Sequence, residues 1–555
     1  MNPITKTCRV TNQPFIITEE ERKFCEQMEV PVPDICAEER IRRLMNERNA
    51  RNLYYRKCDL TGKQILSQHH PDSPFPVYEA TQWWGDSFDG LDYGVDFDFD
   101  RPFFEQYLEL KNKVPHMSAF VISGTLENSD YTNCTGYIKN CYLISESDYD
   151  EDCYFSNRIY HSKDVMDSSN CTESELCYQC VDCTGCNRLL YSEECTQCRD
   201  GYFLYSCKDC SDCIGCINQN HKKYMIFNVQ YTKAEYEKYK TAFQLNTHPG
   251  VADLRKKCED FFNQHPHKAL QQEHNENSTG DHLYHSKNSS NCFDSSNLED
   301  CINCVRVAGG VKSAMDYTSW GFKAELIYMS SACGDNVYNL KFCSSCTTNV
   351  SNCTYCYMLT SCSDCFGCVG LKKKKYCIFN KQYTKEEYEA LVPKIIEHMK
   401  KTGEWGRYFP QEISSFAYNE SIAMENFPLT KPEAIALGYS WRDEDDSNAY
   451  QGPKVEIPDS IDEVNDEICK QILKCESSGK LYKIIPQELK FYRQLGIPLP
   501  HRCPAQRHAD RYARRNTYKL YERKCAASGE KILTSYPPES QVPVYSEQEF
   551  LKVIY

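Results

Sequence analysis

The most regular signal in this chain is a period of three. From Cys141 to Cys216 mostly small residues return at every third position, and the stretch CYQCVDCTGC places Cys177, Cys180, Cys183 and Cys186 on that beat. Written in lines of twelve from Cys141, the region falls into columns. Column one holds Cys141, Cys153, Cys177 and Cys213, and column two is mostly aromatic, with Tyr142, Tyr154, Tyr178 and Tyr202. Cys180 and Cys216 fall in column four, and Cys171, Cys183, Cys195 and Cys207 in column seven. Column ten holds Ser162, Ser174, Cys186, Cys198 and Cys210. A strand alternates faces with period two, so residues i and i+3 share an interior only if a corner falls between them. The pattern predicts a narrow β-solenoid of about twelve residues per turn, its turns stacked ~4.8 Å apart. An interior that thin favours Cys, Ser, Ala, Thr or Val.

The pattern recurs. CIGCINQNHKKYMIFNVQYTKAEY, residues 213–236, matches CFGCVGLKKKKYCIFNKQYTKEEY, residues 365–388, at an offset of 152. Upstream of the second copy, Cys292, Cys301, Cys304, Cys333, Cys343, Cys346, Cys353, Cys356, Cys362, Cys365 and Cys368 continue the style, in turns of about ten residues and weaker phase. Two tandem solenoids are expected, each ending in an apolar strand at 224–227 or 376–379. A helix then follows, with Thr232 or Thr384 as N-cap and Glu235 or Glu387 completing a capping box. Such helices close an open solenoid end.

The two termini also match each other. Cys8 to Cys36 and Cys36 to Cys58 correspond to Cys475 to Cys503 and Cys503 to Cys525 at an offset of 467. Between Cys36 and Cys58 lie seven Lys or Arg against three acids; between Cys503 and Cys525, seven against two. Both stretches, RIRRLMNERNARNLYYRK and RHADRYARRNTYKLYERK, read as basic helices with tyrosines interleaved. One reading makes them nucleic-acid-binding, with Arg40, Arg48, Arg56, Lys57, Arg507, Arg515, Arg523 and Lys524 on phosphates and Tyr on unpaired bases. RNA or the ribosome is then the partner. The other docks the helices on the acidic solenoid, where CYLISESDYDED alone carries Glu146, Asp148, Asp150, Glu151 and Asp152.

CESSGKLY, KFYRQLGIPLP and HRCPAQR resemble a small zinc-ribbon, treble-clef-like family of bacteria. That family carries Cys-x2-Cys at its knuckles. The resemblance implies zinc as cofactor, with ligands at Cys8, Cys36 and Cys58 and at Cys475, Cys503 and Cys525. The second member of each pair is replaced by Thr11, Glu39, Thr61, Ser478, Gln506 or Ser528. Glu39 stands in as a fourth ligand of the first module, and His501 or His508 of the second. DYGVDFDFDRPFFEQ and GEWGRYFPQEIS resemble uncharacterised proteins of candidate-phylum bacteria, which brings no activity with it.

Composition narrows the function classes. A net charge of −15 over 555 residues excludes a surface wrapped throughout in nucleic acid. No apolar run reaches the ~20 residues of a membrane span, and the first residues lack a signal-peptide core, so a cytoplasmic protein is expected. The cysteine count, 35, is odd, and cytosolic thiols stay reduced, which disfavours disulfides. Three roles stay open for the ladders: buried small hydrophobes, zinc at pairs such as Cys343/Cys346 with Cys353/Cys356, or an iron–sulfur cluster. No phosphate-binding loop, dinucleotide fingerprint, metalloprotease helix or nucleophile elbow occurs. His69 and His70 are expected in solvent, and Asp96, Asp98 and Asp100 on one strand face, which either binds a cation or runs exposed into Asp100 as the N-cap before Pro102.

The expected class is mixed, with two Cys-rich β-solenoids, helical connectors and zinc-ribbon-like ends. Its units are the N-terminal module (1–90), a connector (91–116), solenoid one (117–230), a helical linker (231–281), solenoid two (282–383), a loop-rich connector (384–468) and the C-terminal module (469–555). RDEDDSN reads as a hinge in the last connector. The expected function is a non-enzymatic scaffold or binding protein. Its rivals are a metal-binding or thiol-redox protein using the ladders, and a self-assembling homo-oligomer. No small-molecule substrate is identified.

Overall fold

A computed structural model describes residues 2–554 apart from 308, 320, 322, 323, 326, 333, 335, 336, 338, 346 and 444–454. Cys333, Cys346 and most of RDEDDSN lie outside the described residues. Solenoid one stacks in parallel at twelve residues per turn: Ser145 pairs with Asn157, Asn157 with Ser169, and Ser169 with Val181. A second face continues through Leu189–Gly201 and Cys213–Met225 pairs. Every third residue sits in the left-handed region, as at Asn170 (φ 55°), Glu173 (52°), Leu176 (55°) and Gln179 (52°). Each triplet is therefore one inward residue, one extended residue and one corner, and four triplets make a turn. That is the physical origin of the period-three signal.

The interior is broader in residue type than expected. Ile144, Ile159, Leu189 and Leu204 are as buried as the cysteines around them. Gly201 makes room: a Cβ there would come within 2.7 Å of Leu204 Cδ1 and 2.8 Å of Leu189 Cδ1. Solenoid two departs from the ten-residue estimate. Its rungs are 12 apart at Gly280–Cys292 and 13 apart at Ile302–Met315 and Val305–Thr318, and return to 12 at Ser351–Ser363. The extra residue shifts the phase, which is why the lattice blurs there. Residues 267–282, expected as a linker, already belong to the fold: Gln272–Glu273 pairs with Leu283–Tyr284, and His267–Lys268 pairs with Val544–Tyr545 of the C-terminal module.

Both solenoids end alike. Lys223–Ile226 and Lys375–Ile378 turn back in short antiparallel hairpins, and helices Lys233–Ala242 and Lys385–Thr402 follow. Both helices carry the capping box: Thr232 Oγ1 accepts from Glu235 N, and Thr384 Oγ1 from Glu387 N.

Each terminal module lays its main apolar face on a different solenoid. The column-two stripe of solenoid one, Tyr154, Met166, Tyr178, Leu190, Tyr202, Ile214 and Ile226, clusters with Leu489, Phe491, Tyr492, Ile497 and Leu499 of the C-terminal module. Tyr178 and Tyr492 meet edge to face at 5.5 Å. Phe24, Met28 and Leu44 of the N-terminal module cluster with Met315, Tyr328, Phe342 and Tyr355 of solenoid two.

Several local expectations are corrected. The basic helices stop at Asn46 and Tyr512, and Arg56 and Lys57, Arg523 and Lys524 lie on hairpin strands Tyr54–Lys57 and Tyr521–Lys524. In the first module Asn49 forces the break: its Oδ1 accepts from Asn52 N at 2.8 Å, and its Nδ2 donates to Gln68 O. Residues 94–99 form no strand, and Asp96 pairs with Lys381 and Tyr383. Helix Phe103–Lys113 is capped by the distant Glu404, which accepts from Phe103 N and Phe104 N, not by Asp100. His69 is buried, stacked on Phe416 at 5.1 Å, and burial pushes its imidazole down to about 3. No described helix is long and apolar enough to cross a membrane.

Candidate functional site

The ladder thiols face their own backbone. Cys183 Sγ donates to Val181 O at 3.4 Å and Ser192 O at 3.7 Å, and Cys198 Sγ to Thr196 O at 3.5 Å and Cys207 O at 3.4 Å. Cys141, Cys153, Cys171, Cys177, Cys180, Cys186, Cys195, Cys207, Cys210, Cys213, Cys216, Cys343, Cys353, Cys356, Cys362, Cys365 and Cys368 are buried likewise, and every described cysteine is free. Burial raises the Cys183, Cys207 and Cys304 thiols well above their usual range, whereas at Cys180 and Cys195 hydrogen bonds from neighbouring thiols outweigh burial and lower them. Among the described residues two groups of three His, Cys, Asp or Glu side chains bring ligand atoms within 4.8 Å of one another. Neither contains a cysteine.

The terminal cysteines sit in four equivalent knuckle turns. Cys8 N, Cys58 N, Cys475 N and Cys525 N each donate at 2.8 Å to the carbonyl five residues on, in Gln13, Lys63, Lys480 and Glu530. The residue four on is left-handed: Asn12, Gly62, Gly479 and Gly529. Hydroxyls stand three residues after each of these cysteines, in Thr11, Thr61, Ser478 and Ser528. Ser478 Oγ lies 3.7 Å from Cys503 Sγ, and Cys36 N donates to Cys8 Sγ at 3.5 Å. Burial raises the Cys475 and Cys525 thiols, but hydroxyl and backbone donors outweigh it: Cys475 falls to about 6, through Ser478 first, and Cys525 to about 7, through Ser528 first. Cys58 has its own turn, with Glu79 N donating to its sulfur at 3.4 Å. Glu39 turns away from Cys8 and Cys36. It is fully buried, and Arg42, Arg43 and Tyr439 all donate to it. His508 pairs with Glu425 at 3.2 Å, also apart from the knuckle.

The basic helices face inward. Arg40 pairs with Glu21 at 2.6 Å and with Asp316 of solenoid two. Its duplicate Arg507 pairs with Glu488, the duplicate of Glu21, at 3.0 Å and with Asp167 of solenoid one at 3.1 Å. Arg511 shares Asp167 at 3.1 Å. Arg48 reaches Glu146 at 2.6 Å, and Arg515 bridges both solenoids through Asp182 at 3.0 Å and Asp294 at 2.6 Å. These guanidiniums are buried or nearly so. Arg56 pairs with Asp59, and Arg523 donates to Pro537 O and Ser540 O. Lys57 and Lys524 are exposed.

The solenoids meet along a polar seam made of corner residues. Glu146, Arg158, Asp182 and Glu194 occupy column six of solenoid one, and His282, Asp294 and Arg306 lie twelve apart on solenoid two. Glu146 pairs with Arg306 at 3.3 Å, Arg158 with Asp294 at 2.8 Å, and Glu194 with His282 at 2.7 Å. The order reverses, so the solenoids run antiparallel. At the Glu194 end a cavity of about 150 Å³ opens, lined by Asp182, Glu193, Glu194, Asp281, His282 and Asp294 with Arg514, Arg515 and Lys268 among its walls. Burial raises Glu194 to about 7 against the pull of His282. Burial opposes the imidazolium of His282, but Glu194, Asp281 and Asp182 outweigh it and hold it well above its usual value. The charged residues of column six are visible in the sequence; their partners on solenoid two are not. Comparison with known proteins matches the chain to no family model and to no curated protein.

Proposed function

We infer that this is a non-enzymatic scaffold whose duplicated terminal modules clamp two solenoids into one rigid body. One observation carries the reading: arginines of both basic helices, Arg40, Arg507 and Arg511, and of the turns that follow them, Arg48 and Arg515, are spent on the chain's own carboxylates. Phosphate binding needs solvent-facing cations, and here the helices supply internal ties instead. The free, buried thiols suit a reducing, intracellular setting. Zinc in the end knuckles is not favoured, because the hydroxyls of Thr11, Thr61, Ser478 and Ser528 are poor zinc ligands.

The test is filter binding of single-stranded RNA over a salt series, with thermal melting of Arg48→Ala plus Arg515→Ala alongside. The clamp reading predicts no salt-dependent RNA retention by the wild type and a lowered Tm in the variant. Salt-dependent retention that the variant loses at unchanged Tm would overturn it.

A further inference from the structure

We propose that the rung joining the two solenoids binds one divalent transition-metal ion through His282 Nε2, Glu194 and Asp182. Their ligand atoms lie within 4.8 Å of one another, at the wall of the junction cavity. Small side-chain closures bring each to the ~2.0–2.2 Å that imidazole and carboxylate ligands take. The donors are placed by backbone: all three are left-handed corners, with φ of 53°, 55° and 49° at Asp182, Glu194 and His282. Asp182 and Glu194 are one solenoid rung apart, and His282 is fixed by the opposing ladder.

Two further observations point the same way. Asp281 Oδ2 stands 3.7 Å from the other ring nitrogen of His282, and Ser535 Oγ and Gln271 N donate to the Asp281 carboxylate. A carboxylate behind the imidazole is the arrangement that orients metal-binding histidines once the 3.7 Å contact closes to a hydrogen bond. Second, the cavity wall is rich in carboxylates, Asp182, Glu193, Glu194, Asp281 and Asp294, with Arg514, Arg515 and Lys268 beside them and Arg158 on Asp294. Arg515 and Asn170 already donate to Asp182, which leaves that carboxylate lone pairs for a metal. An imidazole with two carboxylates suits zinc, cobalt or manganese better than calcium or magnesium. The other such group, His248, Glu476 and His501, is less apt: its rings stack at 4.0 Å and 2°, so their in-plane lone pairs do not converge.

The experiment is calorimetric titration of the full, metal-stripped chain with Zn²⁺ and Co²⁺, with the optical spectrum of the Co²⁺ form. One equivalent should bind, without thiolate-to-cobalt absorption, and Zn²⁺ should raise Tm. His282→Asn and Glu194→Gln should each weaken binding at least about tenfold and abolish the Tm rise. Should His282→Asn fail to fold, Glu194→Gln, a near-isosteric change, decides alone. No binding, binding unchanged in Glu194→Gln, or a thiolate band would overturn the proposal. In those cases His282 is simply the protonated partner of the carboxylates, or the metal belongs to the knuckles. RNA binding has no bearing on this result, so it fails or stands apart from the scaffold reading.

Discussion

The two terminal modules are copies that solve one docking problem differently. In both, an arginine joins a glutamate of its own module to an aspartate of a solenoid: Arg40 with Glu21 and Asp316, Arg507 with Glu488 and Asp167. One turn further along, the copies part. The N-terminal helix presents Leu44, fully buried against solenoid two, and the C-terminal helix presents Arg511, which shares Asp167. Burial, with Arg51, Arg507 and Arg514 nearby, pushes Arg511 down to about 10 even though Asp167 opposes this. The same contact is thus met once by an apolar side chain and once by a desolvated ion. A buried ion pair is costly to break and adds little over a hydrophobic replacement.

That contrast gives a ranked set of substitutions. Asp167→Ala leaves Arg507 its Glu488 partner but leaves Arg511 no carboxylate, only Ser169 Oγ and Phe155 O, and should cost about 3–5 kcal/mol, read by denaturant unfolding. Asp316→Ala leaves Arg40 its Glu21 partner, and a loss of about 2 kcal/mol is expected. If the two cost the same, the extra guanidinium is not what distinguishes the modules. Arg511→Leu, which copies Leu44, should fall within about 1 kcal/mol of the wild type or gain stability. A loss as large as that of Asp167→Ala would show that the ion itself is required.

A smaller effect separates the interiors from the docking faces. Asp150 points into solenoid one at column ten, where later turns carry Ser162 and Ser174. Burial raises its carboxyl to about 9. A carboxyl raised on folding binds a proton in the native state, so its contribution is present at low pH and is lost as pH rises from about 4 towards 9. Asp150→Ser should therefore raise Tm by a few degrees at pH 8 and leave it nearly unchanged at pH 4. An equal gain at both would mean that Asp150 does not titrate with folding.

The solenoid was legible because a thin core restricts volume at each inward position, and Cys177, Cys180, Cys183 and Cys186 all obey that restriction. Solenoid two was less so, because thirteen-residue turns such as Ile302–Met315 shift the phase without changing the residue types. The basic helices were legible as basic but not as buried. A run such as RIRRLMNER reads the same whether it faces water or the chain's own aspartates. The junction group escaped because Asp182 and Glu194 come from one ladder and His282 from another, 88 residues beyond Glu194.

The most direct test of the clamp is a double-mutant cycle of Arg515→Ala and Asp294→Ala, the pair that ties the C-terminal module to solenoid two at 2.6 Å. The account predicts a coupling of at least about 1.5 kcal/mol in unfolding free energy. A coupling near zero, with each single change nearly silent, would contradict it.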